Sequence, residues 1–237
     1  MPKKWIHINY KVGDPWIGSI WAAVNDAERS GKAHPITKEV KSQLGLSIST
    51  RLDMLPRIIH RINVEVSQVY EATEKHKCEH VFTSNHDGYV FDIEENLKFN
   101  LLIDIDSLLF ELNSICELIG TLFWILYSAS LGINIEKNEA GLQIKKIIEQ
   151  SGNSADWFIM LDNHRNVFMH NAAPYFAVDV SEGPGKYDLL IMKENIKCFD
   201  DHEKFIAISE IDSIVKGFSI AKPIIKQHLI ELFQGKP

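Results

Sequence analysis

The chain has 237 residues, 45% of them hydrophobic, which is enough for a substantial core and excludes a disordered polymer. Its formal charge of −7, from 32 acidic against 25 basic residues, excludes a protein that coats duplex nucleic acid through a broad basic face. It leaves room for a local basic cleft.

Residues 5 to 10 alternate Trp5, His7 and Asn9 against Ile6, Ile8 and Tyr10, the pattern of a short strand. The N-terminal stretch is too short and polar for a signal peptide, and Cys78, Cys116 and Cys198 form no disulfide framework, so a reducing cytoplasmic setting is expected. Pro15 suits the first turn of a helix running to about Ser30, stopped by Gly31. Ile48, Leu52, Leu55, Ile59, Ile62, Val66 and Val69 then recur at steps of four and three, the seam of a packed helix. Pro56 predicts a kink or a fresh start within it. Glu74 to Gly88 reads as a polar loop.

The most regular helical pattern follows. Leu101, Ile105, Leu108, Leu112, Ile115, Ile119, Leu122 and Leu126 keep the four-three step, and Leu102, Leu109, Cys116 and Phe123 widen the stripe. The uncharged run Leu118 to Asn134 carries Thr121, Tyr127, Ser128 and Ser130, which favours a buried core helix over a membrane span. Glu139 to Gln150 is a shorter helix closed by Ser151-Gly152-Asn153. Asn153 or Ser154 caps the next, which runs to about Ala172 and stops before Pro174. The period then becomes two: Phe176, Val178 and Val180, a Glu182-Gly183-Pro184-Gly185 turn, and a return over Tyr187 to Met192 make a hairpin. A last helix spans about Ser209 to Phe233, with a bend expected at Pro223.

The fold expected from these elements is all-α, an antiparallel helical bundle with a small β-hairpin in the C-terminal third. One domain covers residues 1–237, with an N-terminal extension over 1–45 and the hairpin as an insertion over 174–194.

The helix from Ser154 to Ala172 carries the pointed chemistry. Positions four apart stack on a helix face, so Asp162, Asn166 and His170 form a polar stripe with Arg165 to its side. Trp157, Leu161 and Phe168 form the apolar stripe, and His164 among them reads as a core-edge histidine. Arg165 and His170 project about 140° apart, so a second copy of the helix across a twofold axis is needed to bring such pairs into one pocket. Histidine titrates near neutral pH and moves protons. Arginine offers a fixed fork of donors for phosphate. The same spacing in Arg29-Ser30-Gly31-Lys32-Ala33-His34 contains Gly31 and runs into Pro35, so it belongs to a loop.

In Arg165-Asn166-Val167-Phe168-Met169-His170, near the end of an amphipathic helix that follows two long bundle helices, the chain resembles the HEPN superfamily. The resemblance is sharpest over Asp162 to Pro174 and architectural from Ile48 to Ala172. It implies a homodimer with the motif at the interface and metal-independent endoribonuclease activity on single-stranded RNA, with no cofactor and no metal. It further implies Arg165 and His170 as catalytic residues and Asn166 as the accessory polar residue; Asp162, on the same polar stripe, is the supporting residue, and an inhibitor protein is a candidate further partner. Toxin members paired with a nucleotidyltransferase carry a tyrosine two residues after the histidine, where this chain has Ala172. Many members are inactive, so the alternative is a non-catalytic helical module that binds a protein or nucleotide.

Other groups of the chain carry chemistry-competent side chains. Arg57, His60 and Arg61 form a basic group that either gathers RNA phosphates or is a solvated helix face. Asp104, Glu111 or Glu117 on the central helix is a candidate partner for Arg165. His76, Cys78, His80 and His86 are metal-competent types, but their spacing fits a solvated loop better than a zinc site. No histidine has Glu three residues before it, which excludes the di-iron bundle motif. Gly183-Pro184-Gly185 precedes a strand and is no phosphate loop.

Overall fold

The computed structural model describes residues 13–76, 91–170, 175–193 and 202–235. The strand expected over residues 5 to 10 and most of the Glu74–Gly88 loop lie outside them. Among the described residues, helices α1 (Trp16–Arg29), α2 (Lys38–Lys75), α3 (Glu95–Trp124), α4 (Ala140–Gln150), α5 (Asp156–His170) and α6 (Ile208–Gln234) surround one core, with three short strands beside them.

α2 and α3 form the spine. Nearly every turn of α2 sends an apolar residue inward, with Ile48, Leu52, Leu55, Ile58, Ile62 and Val69 buried. α3 answers with Leu101, Ile105, Leu108, Leu112, Ile115, Ile119 and Leu122. The pairs Arg51–Glu111 and Arg61–Asp104 show that the two helices run antiparallel, since the partner number falls as the first rises. α2 begins at Lys38, capped by the Thr37 hydroxyl accepting from the Val40 N–H. One expectation is corrected here: the helix makes no fresh start at Pro56 and runs on through it. Proline in a helix interior costs about 3 kcal/mol, and apolar burial on both sides of Pro56 offsets that. α6 likewise continues through Pro223.

α3 passes into a π-helical segment over Ile125–Ser130. The segment is tied back to the α1–α2 connection, with the His34 N–H donating to the Ser130 carbonyl at 2.7 Å and the Ser130 hydroxyl to the His34 carbonyl at 3.2 Å. By length and composition the helical span Glu95–Ser130 is apolar enough to cross a membrane. In this fold its seam is instead core, with Leu101, Ile105, Ile115, Leu122 and Phe123 fully covered.

The expected hairpin is part of a three-stranded antiparallel sheet in the order β1 (Tyr175–Asp179), β2 (Asp188–Met192), β3 (Phe205–Ala207). Tyr175 faces Met192 and Asp179 faces Asp188, while Leu190 faces Ala207. The central strand is buried on both faces: Leu189 and Ile191 join the main core, Leu190 and Met192 a small cluster with Phe205. The sheet docks on the end of α2, where the Leu189 N–H donates to the Tyr70 hydroxyl at 3.1 Å and the Tyr187 hydroxyl to Glu74.

Candidate functional site on α5

Gly152, at φ +80°, turns the chain out of α4 in a conformation that suits glycine. The Ser154 hydroxyl then accepts the Asp156 N–H at 3.0 Å and donates to the Asp156 carboxylate at 2.6 Å. Serine two residues ahead of the first helical turn therefore starts α5, and Asp156 complements its positive end.

α5 packs against α3 and α6. Trp157, Leu161 and His164 are buried on the inward face, with Phe168 half-buried beyond them. Trp157 meets the Phe218 ring edge-on at 5.9 Å between centroids and lies over Gly217, where even a methyl group would come within 2.3 Å of its Cγ. The expected inward stripe is the one observed.

His164 is held at the junction of α5, α6 and the sheet. Its Nε2 lies 2.9 Å from Glu210 Oε2, off the line of a hydrogen bond. Burial, with the nearby Lys193 ammonium, lowers the ring's pKa to about 4. Glu210 pulls the other way, but without an aligned hydrogen bond the loss of hydration dominates. The ring is therefore neutral at physiological pH and is a structural group, as its place on the apolar stripe suggested.

Asp162 and Asn166 lie on the outward face, exposed. Arg165 sits at the boundary, half-buried, with its Nε covered and without a hydrogen-bond partner. Among the described residues, none of the Asp162, Arg165 and Asn166 side chains makes a hydrogen bond or ion pair. His170 is the last residue of α5; its backbone position follows Asp162 and Asn166 along the same helix face, and its side chain lies outside the described part, as does Ala172.

The acidic residues expected to engage Arg165 are committed elsewhere. Asp104 accepts both prongs of Arg61, Glu111 accepts Arg51 at 2.5 Å, and Glu117 accepts the Asn113 amide at 2.8 Å. The pairing with Arg165 is corrected on that ground. The same bonds match the charge of Arg61, one of the two arginines expected to contact RNA, with a buried carboxylate. Arg57 and Arg61 line a groove of about 450 Å³ between α2 and α3. Since α2 packs on α3 and α1 while α5 packs on α3 and α6, the structure does not join this pair to the α5 stripe. The sequence reading missed Arg51 and Glu210, whose partners lie 60 and 46 positions away, beyond any local signal.

Among the described residues no group of three or more His, Cys, Asp and Glu side chains is placed to hold a metal ion. Of the set His76, Cys78, His80 and His86, only His76 is described, with its ring stacked on Phe91 at 5.0 Å. Burial pushes the Cys116 thiol up to about 12, so it offers no thiolate for nucleophilic chemistry. Comparison with known proteins finds no family model, no curated protein and no solved structure that matches this chain.

Proposed function

We propose that the protein is a cytoplasmic, metal-independent endoribonuclease that cleaves single-stranded RNA as a homodimer, with α5 at the dimer interface. The observation that carries this reading is the uncommitted guanidinium of Arg165, flanked by exposed Asn166 on a helix whose inner face is fully used for packing. A half-buried arginine without a counter-charge is costly in a merely structural role and suits an anion that arrives from outside. The resemblance of Arg165 to His170 to the HEPN motif supports the same chemistry.

In this mechanism the RNA 2′-oxygen attacks the adjacent phosphorus and the bond to the 5′-oxygen breaks. His170 takes the 2′-hydroxyl proton in one copy, and its counterpart across the twofold gives a proton to the departing 5′-oxygen. Arg165 stabilises the charge that grows on the phosphoryl oxygens, while Asn166 donates to one of them. Asp162 supports the Asn166 side of the stripe. The products carry a 2′,3′-cyclic phosphate and a 5′-hydroxyl.

A second reading has its own observation. Ile159 and Met169 are 49% and 57% exposed beside Asn166, an apolar flank that suits a non-catalytic module binding a protein as well as it suits a second copy. Incubation of the purified chain with single-stranded RNA in EDTA separates the two. Cleavage is expected, with a loss of about 10²–10⁴-fold in His170→Ala and a comparable loss in Arg165→Lys. DNA of the same sequence should resist, lacking the 2′-hydroxyl. Wild type that leaves RNA intact, or cleaves it equally without His170, overturns the nuclease reading in favour of the interaction module.

A further inference from the structure

We infer that a second copy of this chain docks on the α2–α3 groove, with the twofold axis running along the seam between the two helices. The inference is independent of α5 and rests on what flanks the groove. Met54 and Phe110 at one end are 39% and 51% exposed, and Val64 and Ile103 towards the other are 43% and 60% exposed. Large apolar side chains left open in register along one seam mark an interface.

The charges decide what covers it. Arg51 and Glu111 neutralise one another, as do Arg61 and Asp104. Arg57 on α2 and Asp106 on α3 line the same groove, yet among the described residues neither has an ion-pair partner. The groove thus offers one spare cation and one spare anion. It balances no polyanion, and it complements a surface with the same two charges interchanged.

A second copy is such a surface. The antiparallel register set by the two internal ion pairs puts Met54 level with Phe110, Arg57 level with Asp106, and Val64 near Ile103. A twofold along the seam lays α2 of one copy over α3 of the other without changing level. Met54 then meets the other copy's Phe110, Arg57 meets Asp106, and Val64 meets Ile103. An isologous contact makes each pair twice. The two grooves close on each other as the core of a four-helix arrangement, filled from Met54, Ile58 and Phe110. A twofold across the seam at the level of Arg57 would instead oppose Arg57 to Arg57 and Asp106 to Asp106, which like-charge repulsion disfavours.

Phe110 is already held for this role. Arg51 lies over its ring, 5.8 Å from the centroid, while bonded to Glu111. An aromatic fixed at the surface loses little freedom on docking.

Sedimentation of the full chain across a concentration series tests the inference. Wild type should self-associate, and Asp106→Arg or Arg57→Glu alone should weaken that association by about tenfold or more, because each sets two like-charge pairs. The double variant Arg57→Glu/Asp106→Arg should recover it. Ser107→Cys, on the groove near the axis, should join two copies by a disulfide on oxidation. Asn166→Arg on the exposed face of α5 should leave the Arg57 and Asp106 effects in place, which separates this contact from the dimer invoked for RNA cleavage. A monomeric wild type overturns the inference. So does single-variant association equal to wild type, failure of the double variant to recover, or association abolished by Asn166→Arg and untouched by Asp106→Arg.

Discussion

Arg61 closes a two-pronged ion pair on Asp104, Nε to Oδ2 at 2.6 Å and Nη2 to Oδ1 at 2.7 Å, and so fastens α2 to α3 at one level of the seam. The Asp104 side chain is 8% exposed, the Arg61 side chain 55%, so the arginine acts as a lid over a buried carboxylate. Nearby Glu65, whose carboxyl is pushed up by burial and by the Asp104 charge, has no capacity to compensate if the lid is removed. Arg61→Ala should therefore destabilise the fold by about 1.5–3 kcal/mol, the worth of hydrogen bonds to a charged group. Arg61→Lys should recover only part of it, since an ammonium cannot fill both carboxylate lone-pair directions. Adding Asp104→Leu to Arg61→Ala should restore much of the loss, because no unpaired charge is then left buried. Urea unfolding midpoints of the variants measure this.

The core seam gives a second test. Leu112 on α3 is 1% exposed, among the most covered side chains of the protein. Leu112→Ala should cost about 2–5 kcal/mol through lost transfer energy and an unfilled cavity. Leu142 on α4 is 61% exposed, and Leu142→Ala should stay within about 0.5 kcal/mol of wild type. Equal melting temperatures for the two variants would mean that the α3 seam faces the wrong way.

That seam was legible because the four-three step of leucine and isoleucine repeats through eight positions, too many for another periodicity to imitate. The inward stripe of α5 was legible for the same reason, over fewer turns. Pro56 misled because the local rule sees a lost hydrogen bond but not the buried side chains of Leu52, Leu55, Ile58 and Ile62 that carry α2 on through it without a fresh start. Strand β3 is three residues long, too short for its alternation to stand out. The least legible feature was electrostatic pairing. Arg51 and Arg61 look like any solvated basic residues until the fold brings Glu111 and Asp104 across the seam, and only then do Arg57 and Arg165 stand out as the arginines without an ion-pair partner among the described residues.

His164 ties α5 to α6 through a group whose protonation the fold resists. Its pKa falls from 6.5 in an exposed histidine to about 4, with burial the main cause, Lys193 adding to it and Glu210 facing Nε2. A folded value below the unfolded one means that the unfolded chain binds the proton more readily. The associated stability is present above pH 6.5, declines as the pH falls from 6.5, and the loss levels off below about 4. Melting wild type and His164→Gln at about pH 7.5 and about pH 5 isolates this contribution, because every other titratable group is present in both chains. Wild type should lose more stability on acidification than the variant. Equal losses would show the ring titrating at its ordinary value.

Gly217 decides how closely α5 approaches α6. It lies inside a long helix, where replacing glycine by alanine ordinarily stabilises by up to about 1 kcal/mol through reduced backbone freedom. Here a Cβ at Gly217 would fall 2.3 Å from Trp157 Cγ and 2.6 Å from its Cβ. The obstacle is the root of the indole side chain, not a flexible tip, so rotation about χ2 gives no relief. The sign therefore reverses: Gly217→Ala should destabilise by about 1–3 kcal/mol, as overpacking does in a filled core. Gly141, on the short helix α4, has nothing within 4 Å of the same added atom, and Gly141→Ala should be neutral or stabilising. The displaced Trp157 reports directly, since its indole is buried against Phe218 and its fluorescence should shift to the red in Gly217→Ala as α5 is levered outward. Because Trp157 and Arg165 share α5, the same variant should lower any RNA cleavage without touching Arg165 or His170. An unchanged spectrum with unchanged stability would mean that α5 does not rest on Gly217.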